Sequence, residues 1–129
     1  MLTQEQQMLS ERQQLGIWLM EQVTKVGDGG LGWLAERALE KLVKVCPSTE
    51  WRSEIARQLI KAERYAKTKE YCVARWMLAQ AAGELVGYWC QRCKQTVGSR
   101  TVIKLKDGTY LNACFSCAVA LAIDGQVAG

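Results

Sequence analysis

The sequence predicts a mostly α-helical protein in which a bundle of three to four helices is followed by a small cysteine-rich module. Apolar residues recur at helical spacing through the first two thirds of the 129-residue chain. After them, four of the six cysteines stand in two Cys-x-x-Cys pairs, and a segment of alternating polarity lies between the pairs. We therefore expect a helical domain over residues 1–87 and a cysteine-rich module over residues 88–129, packed together as one unit.

Two helices are expected in the N-terminal part. Leu15, Leu19 and Val23 share one face of the first helix, and the glycine-rich residues 27–30 end it. Trp18 lies beside this apolar face and is expected to be exposed, where it would mark a protein-binding spot. The second helix begins after the glycines, because apolar residues again recur at helical spacing from Leu31 onward.

A second pair of helices is predicted around the polar residues 67–70, "KTKE". These residues form either a turn or the exposed face of one long helix. A spacing of small and aromatic residues favours the turn, since it resembles a single tetratricopeptide-type helical hairpin. In this resemblance Lys69 stands where the family has its turn glycine. The residues that carry the spacing are Ala62, Tyr65, Tyr71, Ala74, Leu78 and Ala81.

The cysteine pairs predict one tetrahedral metal site made by Cys90, Cys93, Cys114 and Cys117. Four thiolates complete the coordination of a structural zinc ion and leave no open position, so one structural Zn²⁺ per chain is expected. The alternatives are buried thiols that bind no metal and an iron–sulfur centre. The remaining two cysteines are predicted to act as small apolar side chains in the helices.

The segment between the pairs predicts a β-hairpin, and the segment after them a short helix. "TVIKL" alternates between apolar and polar residues, and "KDGT" supplies an Asp-Gly turn. "CAVALAIDG" is rich in alanine and ends at a glycine that would stop a helix. This order resembles the treble-clef zinc fingers over residues 88–125. "DGTYLNACFSCAVAL" is similar to GATA-type fingers, and the layout of helices before a four-cysteine finger resembles the DksA/TraR transcription regulators. The resemblance implies a treble-clef-like finger and a role in transcription regulation.

The cysteine-rich module is basic. Residues 90–129 carry five basic and two acidic residues, and no acid occurs between Glu84 and Asp107. Alternation along the first hairpin strand suggests that one face packs on the metal core while the other presents cations. The module is thus a candidate nucleic-acid surface, unless the cations form an ordinary solvated face. The candidate residues are Arg92, Lys94, Arg100, Lys104 and Lys106.

The same residues argue against an enzyme. The chain has no histidine, so no His-based triad or His general base exists. A zinc ion held by four cysteines has no position for a reactive water. We therefore expect a regulatory or adaptor protein that acts through protein–protein interaction, with the transcription machinery as one candidate host. Direct nucleic-acid binding through the basic hairpin is the alternative, and the oligomeric state is not indicated.

The location of the protein is predicted from what its sequence lacks. The apolar stretches are shorter than the roughly 18 residues that span a membrane, so no membrane partner is expected. The N-terminal "MLTQEQQMLSERQQ" has no basic start followed by an apolar run, and hence no secretory signal. These features predict a protein that is not secreted but resides in a reducing compartment, cytoplasmic or, in a eukaryote, nuclear.

Overall fold

The computed structural model describes residues 9–46 and 49–128, with the backbone alone for residues 49–51. The predicted mostly α-helical class is confirmed. A short 3₁₀ turn (Asp28–Gly30) joins the first two helices. In the described chain the elements are α1 (Glu11–Lys25), α2 (Leu31–Val45), α3 (Thr49–Lys67), α4 (Tyr71–Val86), β1 (Thr101–Lys104), β2 (Tyr110–Ala113) and α5 (Phe115–Ile123).

The first four helices form a closed bundle around one core. Helix α1 packs on α4 and α2, while α3 packs on α2 and α4. The predicted apolar face of α1 is confirmed, because Leu15, Leu19 and Val23 are all buried. Removing this apolar surface from water is what holds the bundle together. The largest fully buried side chains contributed by α2, α3 and α4 are Leu31, Leu34, Leu42, Ile55, Leu59, Leu78 and Leu85.

Helices α1 and α4 approach each other unusually closely. A Cβ atom placed on Gly16 of α1 would lie 2.7 Å from the backbone nitrogen of Val86 and 2.8 Å from the carbonyl oxygen of Ala82. No side chain fits in this space, so the glycine sets the distance between the two helices. Small residues on the facing side of α4 allow the same contact, as Ala81 and Ala82 are fully buried.

Side chains fix both ends of α1. Ser10 and Gln13 form a capping box, in which the Gln13 N–H donates to Ser10 Oγ and the Ser10 N–H donates to Gln13 Oε1. At the other end, Arg75 Nη1 donates to the carbonyl oxygens of Val23 (2.6 Å) and Val26 (2.9 Å). A residue of α4 thus satisfies carbonyl groups at the C-terminus of α1.

Helix α3 ends at Lys67 and residues 68–70 form a turn, which decides between the two possibilities left open by the sequence. Lys69 has φ +64°. The Glu70 N–H donates to the Tyr65 carbonyl (2.9 Å) and the Lys69 N–H to that of Ala66 (3.1 Å). These two bonds define a Schellman motif at the end of α3. Helices α3 and α4 pack against each other across this turn, as the tetratricopeptide-like spacing predicts.

The hairpin of the cysteine-rich module is docked on the bundle. Val102 of β1 and Tyr110 of β2 are buried within the same apolar core as the helices. The Tyr110 N–H also donates to Thr24 Oγ1 of α1, at 3.1 Å. Ile103, on the other face of β1, packs against the cysteine cluster. We expected one face of the strand to pack on the metal core and the other to present cations. The first half is right, but the second face also carries Val102, which packs into the bundle.

The tryptophans are placed differently from the sequence expectation. Trp18 is half-buried against the core rather than exposed, and the Lys41 ammonium lies 4.8 Å from its ring centre. The neighbouring helix α2 covers Trp18, whose burial the apolar pattern of α1 alone does not predict. Trp33 and Trp76 are exposed instead. Among the described helices none combines the length and the apolar character needed to cross a membrane.

Candidate metal centre

The first cysteine pair lies on a tight loop between Trp89 and Thr96, which pair as an isolated antiparallel bridge. The Cys93 N–H points at Cys90 Sγ, with a nitrogen–sulfur distance of 3.4 Å. Lys94 closes the loop, since its N–H donates to the Cys90 carbonyl (2.8 Å) with φ +61°. The Cys-x-x-Cys spacing thereby folds into a knuckle that turns both sulfurs to one side.

The second pair lies at the N-terminus of α5. Cys114 is the N-cap residue, and its Sγ accepts a hydrogen bond from the Cys117 N–H at 3.4 Å. A helix N-terminus carries a partial positive charge, which would complement a negatively charged metal–thiolate site. The Phe115 N–H donates to Ser99 Oγ (3.2 Å), which ties the start of α5 to the loop before β1.

The fold brings the four predicted ligands together. The sulfur atoms of Cys90, Cys93, Cys114 and Cys117 all lie within 4.8 Å of one another. Tetrahedral zinc–thiolate bonds place sulfurs about 3.8 Å apart, so only a small contraction is needed. Three of these cysteines are buried and Cys93 is half-buried. The donor set and its spacing fit a metal ion with four sulfur ligands, consistent with zinc, in a zinc-finger-like module.

Three cysteines of the cluster have shifted pKa values. Burial raises the pKa of Cys90, but hydrogen bonds from the backbone of Cys93, Cys114 and Arg92 outweigh it and bring this pKa to about 6. Burial and the neighbouring sulfurs raise the pKa of Cys93 to about 12. The Arg92 side chain favours the Cys117 thiolate, yet burial and the adjacent sulfurs raise the pKa of Cys117 overall. A metal ion between the sulfurs would favour the thiolate forms of Cys93 and Cys117, which these effects disfavour.

Asn112 connects the metal cluster to the hairpin, and sequence reasoning missed it. Its Nδ2 donates to the carbonyl oxygens of Gly87 (3.0 Å) and Trp89 (3.1 Å) just before the first knuckle. Its N–H donates to Gln91 Oε1, at 2.7 Å within that knuckle. A fully buried amide thus holds the first cysteine pair against β2. The available signal was a polar residue at an inward strand position two residues before Cys114.

The five candidate nucleic-acid residues do not share one set of neighbours. The Arg92 guanidinium lies beside Cys117, and this neighbour raises the pKa of Arg92. The ammonium groups of Lys94 and Lys104 lie over Trp89 and Tyr110, at 5.3 and 5.6 Å from the ring centres. These contacts distribute the cations around the module.

The other two candidates differ in exposure. Arg100 is half-buried and lines a groove with Glu84 and Tyr88, whereas Lys106 is exposed at the end of the hairpin. The groove explains why Arg100 is not a free surface cation.

Comparison with known proteins provides no family assignment. The sequence matches no protein-family model, and no curated protein and no solved structure matches it. The cysteine cluster and the contacts around it therefore carry the functional interpretation.

Proposed function

We propose that this protein is a non-catalytic, zinc-binding adaptor that acts by binding another protein. The supporting observation is the convergence of four cysteine sulfurs, within 4.8 Å, on two knuckles that the rest of the module encloses. A zinc ion held by Cys90, Cys93, Cys114 and Cys117 would have all its coordination positions filled by protein. Its contribution would be to hold the hairpin and α5 in place.

The proposed role of zinc follows from the position of the module. Cys114 lies between β2 and α5, and the hairpin contributes Val102 and Tyr110 to the bundle core. A metal that fixes the two knuckles would therefore fix the surface presented by α5 relative to the helices. A rigid surface of this kind suits recognition of another protein, because less conformational entropy is lost on binding.

The transcription machinery is the candidate host that we favour. The order of knuckle, hairpin and knuckle-capped helix resembles treble-clef fingers, and helices before a four-cysteine finger resemble the DksA/TraR layout. Arginine and lysine side chains on the module provide a surface that would suit an acidic protein or the edge of a nucleic-acid complex.

Direct nucleic-acid binding is the second candidate. Lys94, Lys104 and Lys106 are exposed, and no acidic residue interrupts the chain between Glu84 and Asp107. Lys94 and Lys104 lie over different rings, which gives less support to a continuous phosphate-binding track than a row of cations on one face would. We therefore place this function below protein binding.

One experiment separates the two. The zinc-loaded protein is used for nuclease-treated pull-downs from host lysate and for titrations with DNA and RNA at increasing salt. A Lys94, Lys104 and Lys106 to alanine variant is compared with a control in which Lys25, Lys44 and Lys61 of the bundle are replaced. Arg100 is omitted because it is half-buried.

We expect a nuclease-resistant protein partner that both variants retain, and only weak polynucleotide binding. Tight binding to DNA or RNA with a steep salt dependence, lost only in the hairpin variant, would instead establish the nucleic-acid function. Each phosphate contact removed lowers the salt slope by about one unit.

A further inference from the structure

Asn112 is fully buried, yet one atom of its side chain has no hydrogen-bond partner among the described residues. Its Nδ2 donates to the carbonyl oxygens of Gly87 and Trp89, whereas its Oδ1 accepts nothing from the described part of the chain. A buried acceptor without a donor is costly, because it has given up its hydrogen bonds to water. A donor beside Oδ1 would remove this cost.

Arg100 carries a donor at this place. Gly83 of α4 has no side chain, and the three atoms nearest to the point where its Cβ would stand are Val102 Cγ2, Asn112 Oδ1 and Arg100 Nη1. The Asn112 oxygen lies 3.3 Å and the Arg100 nitrogen 3.4 Å from that point. Of these three atoms only the guanidinium nitrogen can donate a hydrogen bond. The Arg100 nitrogen and the Asn112 oxygen thus lie around the same small space beside α4.

The guanidinium group of Arg100 is available for this contact. Arg100 is half-buried, and within residues 9–46 and 49–128 its side chain forms no hydrogen bond and no ion pair. Glu84 lines the same groove, but Glu84 Oε1 accepts from Gln58 Nε2 of α3, at 3.2 Å. A half-buried cation is more stable when its N–H groups are paired, and Asn112 Oδ1 is an acceptor without a donor.

Asn112 is also bonded to the first knuckle itself. Its N–H donates to Gln91 Oε1 (2.7 Å), and its carbonyl oxygen accepts from the Gln91 N–H (2.9 Å). Gln91 stands between the two ligands of that knuckle, Cys90 and Cys93. A donor that fixes the side-chain amide of Asn112 would therefore help to fix these ligands.

We propose that Arg100 donates a hydrogen bond to Asn112 Oδ1 in the zinc-loaded protein and is thereby a positioning residue for the metal centre. This inference rests on the zinc site of the proposed function and adds to it a residue outside the cysteine pairs. Residues that orient metal ligands typically change metal affinity about ten- to a hundredfold when they are replaced. Because Arg100 acts through Asn112, we expect an effect near the lower end of this range.

The first test compares the zinc affinity of full-chain variants, measured by competition with a chromophoric chelator. Arg100→Met keeps a long side chain but removes its donors, and it should bind zinc about tenfold more weakly than the wild type. Arg100→Lys retains a donor and should recover part of this loss. Lys106→Met is the matched control, because it removes the same charge from the same module at an exposed position. The control should bind zinc like the wild type.

A double variant tests whether the effect passes through Asn112. Asn112→Ala should itself weaken zinc binding, since it leaves the carbonyl groups of Gly87 and Trp89 without their donor. In this background Arg100→Met should cause little further loss, because its acceptor is gone. An equal loss in both backgrounds would overturn the proposed route.

The side-chain amide resonances of Asn112 provide a second measurement if the Asn112→Ala chain does not fold. In NMR spectra of the zinc-loaded protein these resonances should shift in Arg100→Met and stay in place in Lys106→Met. Unshifted resonances in Arg100→Met would contradict a hydrogen bond from Arg100. If Arg100→Met itself loses the helical circular dichroism signal, Arg100→Ala takes its place.

Other outcomes also overturn the inference. Wild-type zinc affinity in Arg100→Met would show that Asn112 does not depend on Arg100, while the zinc site itself would stand. A wild-type chain that binds no zinc would remove the proposed zinc site together with this inference. A merely structural role of Arg100 would lower the melting temperature of the zinc-free protein and leave its zinc affinity unchanged.

Discussion

Gly83 of α4 lies directly against Val102 of β1. A Cβ atom on Gly83 would meet Val102 Cγ2 inside van der Waals contact and would lie 3.3 Å from Asn112 Oδ1. The glycine is the point where the bundle receives the hairpin, and the same hairpin carries Asn112, which holds the first knuckle. Packing in the helices and the geometry of the metal cluster are therefore connected through one position without a side chain.

Replacing Gly83 by alanine should lower the free energy of unfolding by about 1–3 kcal/mol, because the added methyl forces the hairpin away from α4. Gly32→Ala is the control. It is also a helical glycine, but its Cβ would make only ordinary contact, 4.0 Å from Ala66 Cβ. The control should gain about 0.5–1 kcal/mol from lower backbone entropy in the unfolded chain. Urea denaturation measures both, and equal stability of the two variants would contradict the close packing at Gly83.

The purified protein should contain about one zinc per chain, since one cluster of four thiolates binds one tetrahedral ion. Cys114→Ser should lose most of this zinc, while Cys72→Ser should retain it, because Cys72 is exposed and outside the cluster. Elemental analysis checks both. Iron with visible absorbance, or full zinc in the Cys114 variant, would rule out the proposed site.

Chelation of the metal should leave most of the helical circular dichroism signal but lower the melting temperature. The bundle has its own core, yet Val102 and Tyr110 belong to that core and depend on the hairpin. Short hairpins are not stable alone, so the module should become sensitive to protease after about Val86. Unchanged melting after complete metal removal would show that the hairpin does not need the metal.

Arg75→Met should cost about 1–3 kcal/mol in the free energy of unfolding. The side chain of Arg75 is only 16% exposed and satisfies carbonyl groups at the end of α1, which would be left without a donor. Its ion pair with Asp28 matters less, because the Asp28 side chain is 60% exposed. Asp28→Ala should therefore cost below about 1 kcal/mol. A larger effect at Asp28 than at Arg75 would assign the stabilisation to the ion pair instead.

Lys69→Gly should stabilise the protein by about 0.5–1 kcal/mol. Lys69 has φ +64°, a conformation that costs a non-glycine residue about 1–2 kcal/mol. Glycine removes this cost, but it also raises the conformational entropy of the unfolded chain, which offsets part of the gain. Lys61→Gly is the control, because Lys61 is exposed in the interior of α3, and it should destabilise by about 1 kcal/mol. Thermal denaturation distinguishes the two signs, and a loss of stability at both positions would show that the turn does not strain Lys69.

Local patterns in the sequence determined much of this structure. The spacing of Leu15, Leu19 and Val23 predicted the buried face of α1, because a helix places such residues on one side regardless of its neighbours. The two Cys-x-x-Cys pairs predicted the knuckles for a similar reason, since each is a short loop that turns both sulfurs the same way. The turn at Lys69 was recognisable from the residues on either side of it.

Only the tertiary structure decided which surfaces are covered. The alternation in β1 showed that Val102 and Ile103 lie on opposite faces of the strand. It did not show that the face of Val102 packs on the bundle and the face of Ile103 on the metal cluster. The burial of Trp18 depends on α2, and the role of Asn112 depends on carbonyl groups more than twenty residues away. The exposure of Phe115 and Ile123 likewise follows from the side of α5 that the cluster occupies. A local pattern fixes the direction of a side chain relative to its own element, whereas burial depends on elements distant in sequence.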